Sequence, residues 1–394
     1  MIGLFNECFP PIMDGVAVTV SNLARHFYQC GAEVSLVTPQ IPGLDVTKYP
    51  YSIYQYLSFP VPGRYPYRSG FPQLDYKFQR QMDDLDFSIL HAHCPFSSGD
   101  AALKMAKKRG IPLVATFHSK YRDDFKRVIP NKQVVDYLVS RVVKFYESVD
   151  EVWVPQASVG ETLRSYGYRG EFEVVDNGTE FADVHFTDSD KLGAKKELFL
   201  REDEPLLLFV GQHIWEKNVK LIIEALALVK DMPYHALFVG EGYAKEDMLA
   251  LAEKLGLSGN KDYRRDKVTF FGAVKSRELM KTIYTAADLF LFPSLYDNAP
   301  LVVREAASLG TPSLVTRGSN TAEVIRDGFN GFLADNDVSA FAMRLRYILE
   351  RPVIITWAAS GAAQTLVRPW DDIAAEVLDR YRHLIARKEN RLAI

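Results

Sequence analysis

Short apolar runs alternate with amphipathic stretches along the whole chain. In the first half the runs are GLFNE, EVSLVTP, FSILHAH, PLVATFH, EVWVP and FEVVDNG; in the second they are PLLLFVG, HALFVGEG, KVTFFG, LFLFPS, PSLVTRG and GFLAD. Runs this short, closed by polar residues or glycine, read as strands buried on both faces. The stretches between them carry helical periodicity, so the pattern predicts two α/β domains, each on a parallel sheet. The polar stretch TDSDKLGAKKE at 187 to 197 reads as the linker region, dividing the chain into residues 1–185 and 186–369. The tail DDIAAEVLDRYRHLI reads as an amphipathic helix with no strand after it.

One stretch breaks the apolar pattern. In SLYDNAPLVVREAASLG, residues 294 to 310, a turn precedes a helix whose Leu301, Glu305 and Leu309 recur every four residues. Asp297 and Asn298 are N-cap residue types, Pro300 suits the first turn, and Gly310 with Pro312 supplies the stop. Glu305 thus lies along the apolar stripe, where a charge needs a partner. If it faces a ligand, a vicinal ribose diol is a natural one, because a carboxylate accepts two hydrogen bonds from it. Asp297, at the loop tip, holds a sugar hydroxyl or serves as an N-cap.

Three further stretches place polar groups at strand ends, where parallel sheets bind ligands. Gly15, in PPIMDGV, sits at a strand-to-helix turn; it lets backbone approach a phosphate at a helix N-terminus, or is an ordinary turn glycine. Lys217, in FVGQHIWEKN, lies near the start of a helix. A cation is unfavourable there unless an anion binds between them, the alternative being a solvated lysine. His118 ends the run PLVATFH, and His91 with His93 ends FSILHAH. An imidazole in such a place donates to a hydroxyl or handles a proton, although a lone histidine is more often structural. No HExxH or companion carboxylate stands at metal spacing, so no metal is expected.

Composition changes this picture little. A chain of 394 residues, 47% hydrophobic and 25% charged, suits two soluble domains of ordinary make-up. Cys8, Cys30 and Cys94 are odd in number and lack metal-ligand spacing, which favours a reducing compartment. The chain opens at once on MIGLFNE, and no stretch approaches the roughly 18 apolar residues of a membrane span. The expectation is a cytoplasmic, non-spanning protein. The net charge of −3 is unevenly spread: residues 101 to 145 hold eleven Lys or Arg against three Asp, a local +8. This basic stretch, interleaved with Phe117, Tyr121, Phe125, Val134, Tyr137 and Leu138, suits an anionic leaflet or is a solvated face. PVPGRYPYRSGFP at 60 to 72 is a Pro- and Tyr-rich loop suited to lining an acceptor groove.

Taken together, PPIMDGV, VPQASVGETLRSYG, VVDNGTEF, FVGQHIWEKN, VGEG, FFGAV, FPSLYDNAPLVVREAASLGTP and EVIRDGFNGFL resemble the retaining glycosyltransferases of family 4. That family has the GT-B fold, two Rossmann-like parallel-sheet domains facing across a cleft, with a C-terminal helix, here 370–390, crossing back to the first domain. The resemblance implies a metal-independent hexosyltransferase without a cofactor, using a nucleotide-sugar donor. Gly15 would approach the donor diphosphate and Lys217 neutralise it on departure. Glu305 would hold the ribose, Asp297 the donor sugar and His118 a sugar hydroxyl. Gln212, Leu301 and Val302 complete the implied donor set.

Three departures bear on donor choice. Gln212 stands where the family usually has arginine, Asp297 where it usually has glutamate, and Pro300 where it often has a glycine with a backbone N–H to offer.

The pattern most resembles the branch that moves glucose or galactose from a UDP-sugar to diacylglycerol- or ceramide-like lipids. The implied partner is a lipid acceptor at an anionic membrane surface, with no nucleic acid, and the implied location is the inner face of the membrane of a bacterial cell envelope. His91, His93, Tyr121, Lys126 and Arg127 are the acceptor and membrane candidates. A capsule or lipopolysaccharide enzyme with a glycan acceptor is the alternative. Outside that class stand a nucleotide-sugar epimerase and a non-catalytic nucleotide-sugar binding subunit.

Overall fold

The computed structural model describes residues 1–12, 14–62, 67–184, 187–258 and 266–392. Met13, within PPIMDGV, and residues 63–66 of the Pro- and Tyr-rich loop lie outside the described residues. The chain forms two compact units, Met1–Gly178 with Trp370–Ile394, and Thr179–Pro369.

All twelve apolar runs form strands. In the first unit these are β1 (Ile2–Phe5), β2 (Val34–Pro39), β6 (Ile89–Ala92), β7 (Leu113–Thr116), β8 (Glu151–Val154) and β9 (Glu173–Val174). They are joined by β3 (Ser52–Tyr56) and by a small antiparallel pair, β4 (Ser58–Pro60) and β5 (Arg68–Gly70). The parallel sheet runs β3-β2-β1-β6-β7-β8-β9. The second unit holds β10 (Leu206–Val210), β11 (His235–Val239), β12 (Val268–Gly272), β13 (Leu289–Phe292), β14 (Ser313–Thr316) and β15 (Gly331–Ala334). Its parallel sheet runs β12-β11-β10-β13-β14-β15.

The central strands are apolar because helices cover both faces of each sheet. β1, β7 and β13 are buried almost end to end, and each unit gathers its own hydrophobic core around its sheet. The missed β3, SIYQY, is an edge strand with mixed exposure; only Tyr56 is fully buried, so no apolar run marks it.

Local chemistry sets the helix ends. The helix Gly15–Gln29 is capped by Asp14, which accepts from the Val16 and Ala17 amides, and Lys132–Tyr146 is capped by Asn131. The helix Ser97–Arg109 ends on Gly110 in the left-handed region, with three cations in its last turn. The C-terminal helix Trp370–Leu392 packs within the first unit through Ile373, Ala374, Val377, Tyr381 and Leu384, on a helical stripe. Trp370 lies against Gly178, where a Cβ would come within 2.6 Å of the indole.

Two sequence expectations fail here. The stretch 187–197 is not a linker: Asp188–Glu197 is a helix opened by a reciprocal capping box between Thr187 and Asp190. Its Lys191 and Lys195 pair with Asp288 at 2.8 and 2.9 Å. Burial works against the Asp288 carboxylate, yet the two lysines hold its pKa below the usual value. Asp297 and Asn298 are not N-caps either. The helix Leu301–Ser308 starts directly after Pro300 with no side chain capping it.

Candidate active site

In each sheet the strand order reverses once, at β1/β6 in the first unit and at β10/β13 in the second. Loops leaving the carboxyl ends of such a strand pair diverge and open a crevice. Several of the predicted site residues lie at these two places, and others follow β7 in the first unit.

In the second unit, β10 leads through Gly211 and exposed Gln212 to the short 3-10 helix Trp215–Lys217. Asn218 then turns in the left-handed region at φ 60°, donating to the Pro293 carbonyl and to Asn336. From the neighbouring strand, β13 ends at Phe292 and the chain turns on buried Ser294, whose Oγ accepts from the Tyr296 and Asp297 amides. These turns bring Lys217 and Asp297 together in an ion pair on Oδ1. The ammonium also lies 5.7 Å from the Phe292 ring centre and 5.8 Å from that of Tyr296. The second Asp297 oxygen, Oδ2, is buried and has no hydrogen-bond partner.

Glu305 is buried, as the helical stripe requires, and its charge is met by protein groups. Arg277 donates to Oε1 and Tyr284 to Oε2, each at 2.9 Å. Arg277 also pairs with Glu180 at 2.6 Å and packs over the Phe181 ring. Burial, with Glu305 beside it, pushes the Tyr284 hydroxyl well above its ordinary pKa, so it stays a donor. A ribose diol at Glu305 would share or displace these partners. Leu301 and Val302 form the uncapped first turn of the same helix.

His213 went unnoticed in the sequence. It is fully buried between Phe209 and Phe270, neither ring nitrogen has a partner, and burial lowers its pKa to about 4. The glycines of VGEG serve packing beside it: a Cβ on Gly242 would stand 2.3 Å from the His213 carbonyl oxygen.

In the first unit, Gly15 opens the helix Gly15–Gln29, and a Cβ there would meet nothing within 4 Å. The helix N-terminus is already occupied by the Asp14 carboxylate, which also accepts from Tyr67 at 2.8 Å. Any phosphate approaching Gly15 meets that charge.

His93 and His118 are hydrogen-bonded, Nδ1 to Nε2, at 3.0 Å. His91 packs tilted against His93 and is held by Tyr381 at Nδ1 and Thr116 at Nε2. Burial holds all three imidazoles below their ordinary pKa, His118 at about 4.

Glu7, just past β1, also escaped notice. It accepts from the Ser97 and Ser98 hydroxyls and from the Ser98 amide, tying β1 to the start of the helix Ser97–Arg109. A lone Glu at the end of the run GLFNE gave no periodic signal.

The surface candidates separate sharply. His91, His93 and Tyr121 are buried, so none of them reaches an acceptor or a membrane directly; Tyr121 packs on Phe96 and Phe117. Lys126 and Arg127 are exposed, beside the exposed Val128 on the same short helix. Part of the basic stretch is structural: Lys108 pairs with Asp83, and Arg109 caps the Met82 and Leu85 carbonyls. Among the described residues, no group of three His, Cys, Asp or Glu side chains could hold a metal, and no helix is long and apolar enough to cross a membrane.

Two Rossmann-like units with charged and imidazole side chains at their sheet reversals make up the GT-B architecture. The same architecture appears in sucrose-phosphate synthase (tll1590) from Thermosynechococcus elongatus, with a TM-score of 0.79 and 19% identity over 98% of this chain and 99% of that one. HepE of Anabaena, solved with UDP and glucose, gives 0.75 and 16% over 96% of this chain and 98% of that one.

Residues 13–182 match the model of Glycosyltransferase Family 4, and residues 190–358 that of glycosyl transferases group 1. The chain belongs to the family-4 glycosyltransferases. Among its relatives is the alpha-monoglucosyldiacylglycerol synthase of Acholeplasma laidlawii, 26% identical over 376 residues, 92% of this chain and 91% of that protein.

Proposed function

We propose that this glycosyltransferase moves glucose or galactose from a UDP-sugar to a diacylglycerol- or ceramide-like lipid, with retention of anomeric configuration and without a metal. The observation that carries the reading is the Lys217–Asp297 pair at the β10/β13 reversal, with Asp297 Oδ2 buried and unpartnered. A buried bare carboxylate oxygen calls for donors, and sugar hydroxyls supply them. Beside it, Lys217 offers a fixed cation and the uncapped turn at Leu301 and Val302 offers amides.

Negative charge on the departing nucleoside diphosphate grows towards the transition state. A preorganised ammonium and helix N–H groups therefore stabilise that state more than the bound donor. Glu305, paired with Arg277, receives the ribose. In the first unit, Gly15 has open space where a Cβ would stand but the Asp14 carboxylate beside it, so a diphosphate contact there would meet that carboxylate; His118 is the proposed donor to a sugar hydroxyl. Retention follows if the acceptor attacks on the face the diphosphate leaves, with the departing phosphate taking its proton.

Lipid as the acceptor is supported by the diacylglycerol-linked relative and by exposed cations set among exposed apolar groups. Lys126, Arg127 and Lys132 stand with Val128, Val134 and Tyr137 on two adjacent helices of the first unit. Such a surface binds an anionic leaflet peripherally, here the inner face of the membrane.

The test is nucleotide release from UDP-glucose, UDP-galactose, UDP-N-acetylglucosamine and GDP-mannose, with EDTA present, with and without anionic vesicles carrying diacylglycerol or ceramide. The reading expects release from a UDP-hexose that rises with the lipid and is lost in Glu305→Ala. Release that responds to a soluble glycan and to no lipid would replace the lipid acceptor with a glycan one.

A further inference from the structure

We infer that His93 is a positioning residue that fixes the tautomer of His118, keeping the His118 proton on Nδ1. The functional consequence rests on the reading of His118 as a sugar contact; the tautomer does not.

His93 follows β6 and His118 follows β7, and these strands are neighbours in parallel register. The two rings therefore leave the same end of the sheet and stack, centroids 5.3 Å apart and 22° from parallel. Nδ1 of His93 faces Nε2 of His118 at 3.0 Å, a hydrogen bond holding one proton.

Burial keeps both imidazoles neutral, so each carries a single N–H. Two arrangements remain. If His118 Nε2–H donates, His93 must carry its own proton on Nε2. That nitrogen is buried and has no partner, so a donor would be stranded in the core. If His93 Nδ1–H donates, the stranded nitrogen is a bare lone pair. Buried N–H groups without acceptors are rarer than under-used acceptors, because an orphaned donor forfeits its full hydration. The second arrangement prevails, and His118 Nε2 is then an acceptor with its proton on Nδ1.

His91, packed against His93, does not change the choice. Its nitrogens meet the hydroxyls of Tyr381 and Thr116, which can give or take a proton. It packs against His93 with ring centroids 4.0 Å apart, as a wall. The imidazole of His118 is thereby set as a hydrogen-bond donor through Nδ1 and not as a base at that atom.

The test is tautomer assignment by 15N chemical shifts and long-range 1H–15N correlations on the full chain labelled at histidine, with His118→Gln identifying the His118 signals. Wild type is expected to show His118 protonated on Nδ1. His93→Asn, whose side-chain amide can still donate, should keep that form and hold kcat within about threefold. His93→Leu should admit the Nε2–H form and lower kcat by about tenfold, with donor KM little changed.

Wild-type His118 protonated on Nε2, a readout that needs no His93 variant to fold, would overturn the inference. So would an unchanged His118 tautomer in a folded His93→Leu. Protonation on Nδ1 together with normal turnover by His118→Ala would sustain the lock and overturn the sugar contact instead.

Discussion

The polar side chains at the carboxyl ends of the two sheets differ in kind. In the second unit the groups are full charges in pairs, Lys217 with Asp297 and Glu305 with Arg277. In the first unit, beside the Glu7 and Asp14 carboxylates that follow β1, β6 and β7 end in packed imidazoles held uncharged by burial. Paired charges suit a ligand that is itself charged and that gains charge as it leaves. Neutral donors suit hydroxyl groups, which need orientation and no counter-ion. Under the proposed function, the charged centre of the second unit would take most of the nucleotide and the imidazoles of the first would orient a hydroxyl.

Removing the charge at the leaving group gives the largest expected effect. Lys217→Ala should lower kcat by about 10²- to 10³-fold in nucleotide release, the scale of losing a preorganised transition-state contact. It also strands the Asp297 carboxylate, so Lys217→Ala with Asp297→Asn should recover thermal stability and not turnover. A double variant that regains turnover would remove Lys217 from the chemistry.

Glu305→Gln should weaken UDP binding by about tenfold or more in calorimetry, because a neutral amide accepts more weakly and leaves Arg277 with Glu180 alone. Equal UDP affinity in the two proteins would separate Glu305 from the ribose and leave it as a core ion pair.

The buried imidazoles make stability fall in acid. His213, near pKa 4 when folded, titrates at about 6.5 when unfolded, so the unfolded chain takes the proton first. Stability contributed by this group is complete above about pH 6.5 and is lost as pH falls towards 4. His213→Phe, in a slot between two phenylalanines, should flatten part of the fall in Tm between pH 7 and pH 5. An unchanged slope would put the acid sensitivity elsewhere, with the first unit's histidines the next to vary.

Smaller effects distinguish backbone access from surface charge. Gly15→Ala should leave Tm within a degree or two, since its Cβ meets nothing, and raise donor KM several-fold if a phosphate approaches there. Lys126→Glu with Arg127→Glu should reduce sedimentation with anionic vesicles several-fold while UDP affinity stays unchanged. Loss of UDP affinity in that variant would mean the helix serves the fold and not the membrane.

The strands were legible because a parallel sheet covered on both faces needs uninterrupted apolar runs, and these appear as such in the sequence. β3 was not legible, since an edge strand with mixed exposure has no such run. The segment 187–197 looked like a linker because its helix is held by Lys191, Lys195 and a capping box, polar features that composition reads as solvation.

The site followed the same division. Glu305 announced itself as a charge on an apolar stripe. Its partners Arg277 and Tyr284 did not, because pairing across 28 and 21 residues is a property of the fold. Asp297 carried two meanings, and the ion pair with Lys217 selects against the cap. Glu7 and His213 had no local signal, one ending a strand and the other buried in a turn.

As proposed, the charged centre of the second unit binds a UDP-hexose and the sugar passes to a lipid with retention. The most direct measurement is transfer of 13C-labelled hexose from UDP-glucose or UDP-galactose to diacylglycerol in anionic vesicles, with the anomeric linkage read by NMR. An α-linked glycolipid, matching the α-linked donor, is expected. A β linkage, or turnover of these donors without any sugar reaching the lipid, would contradict it.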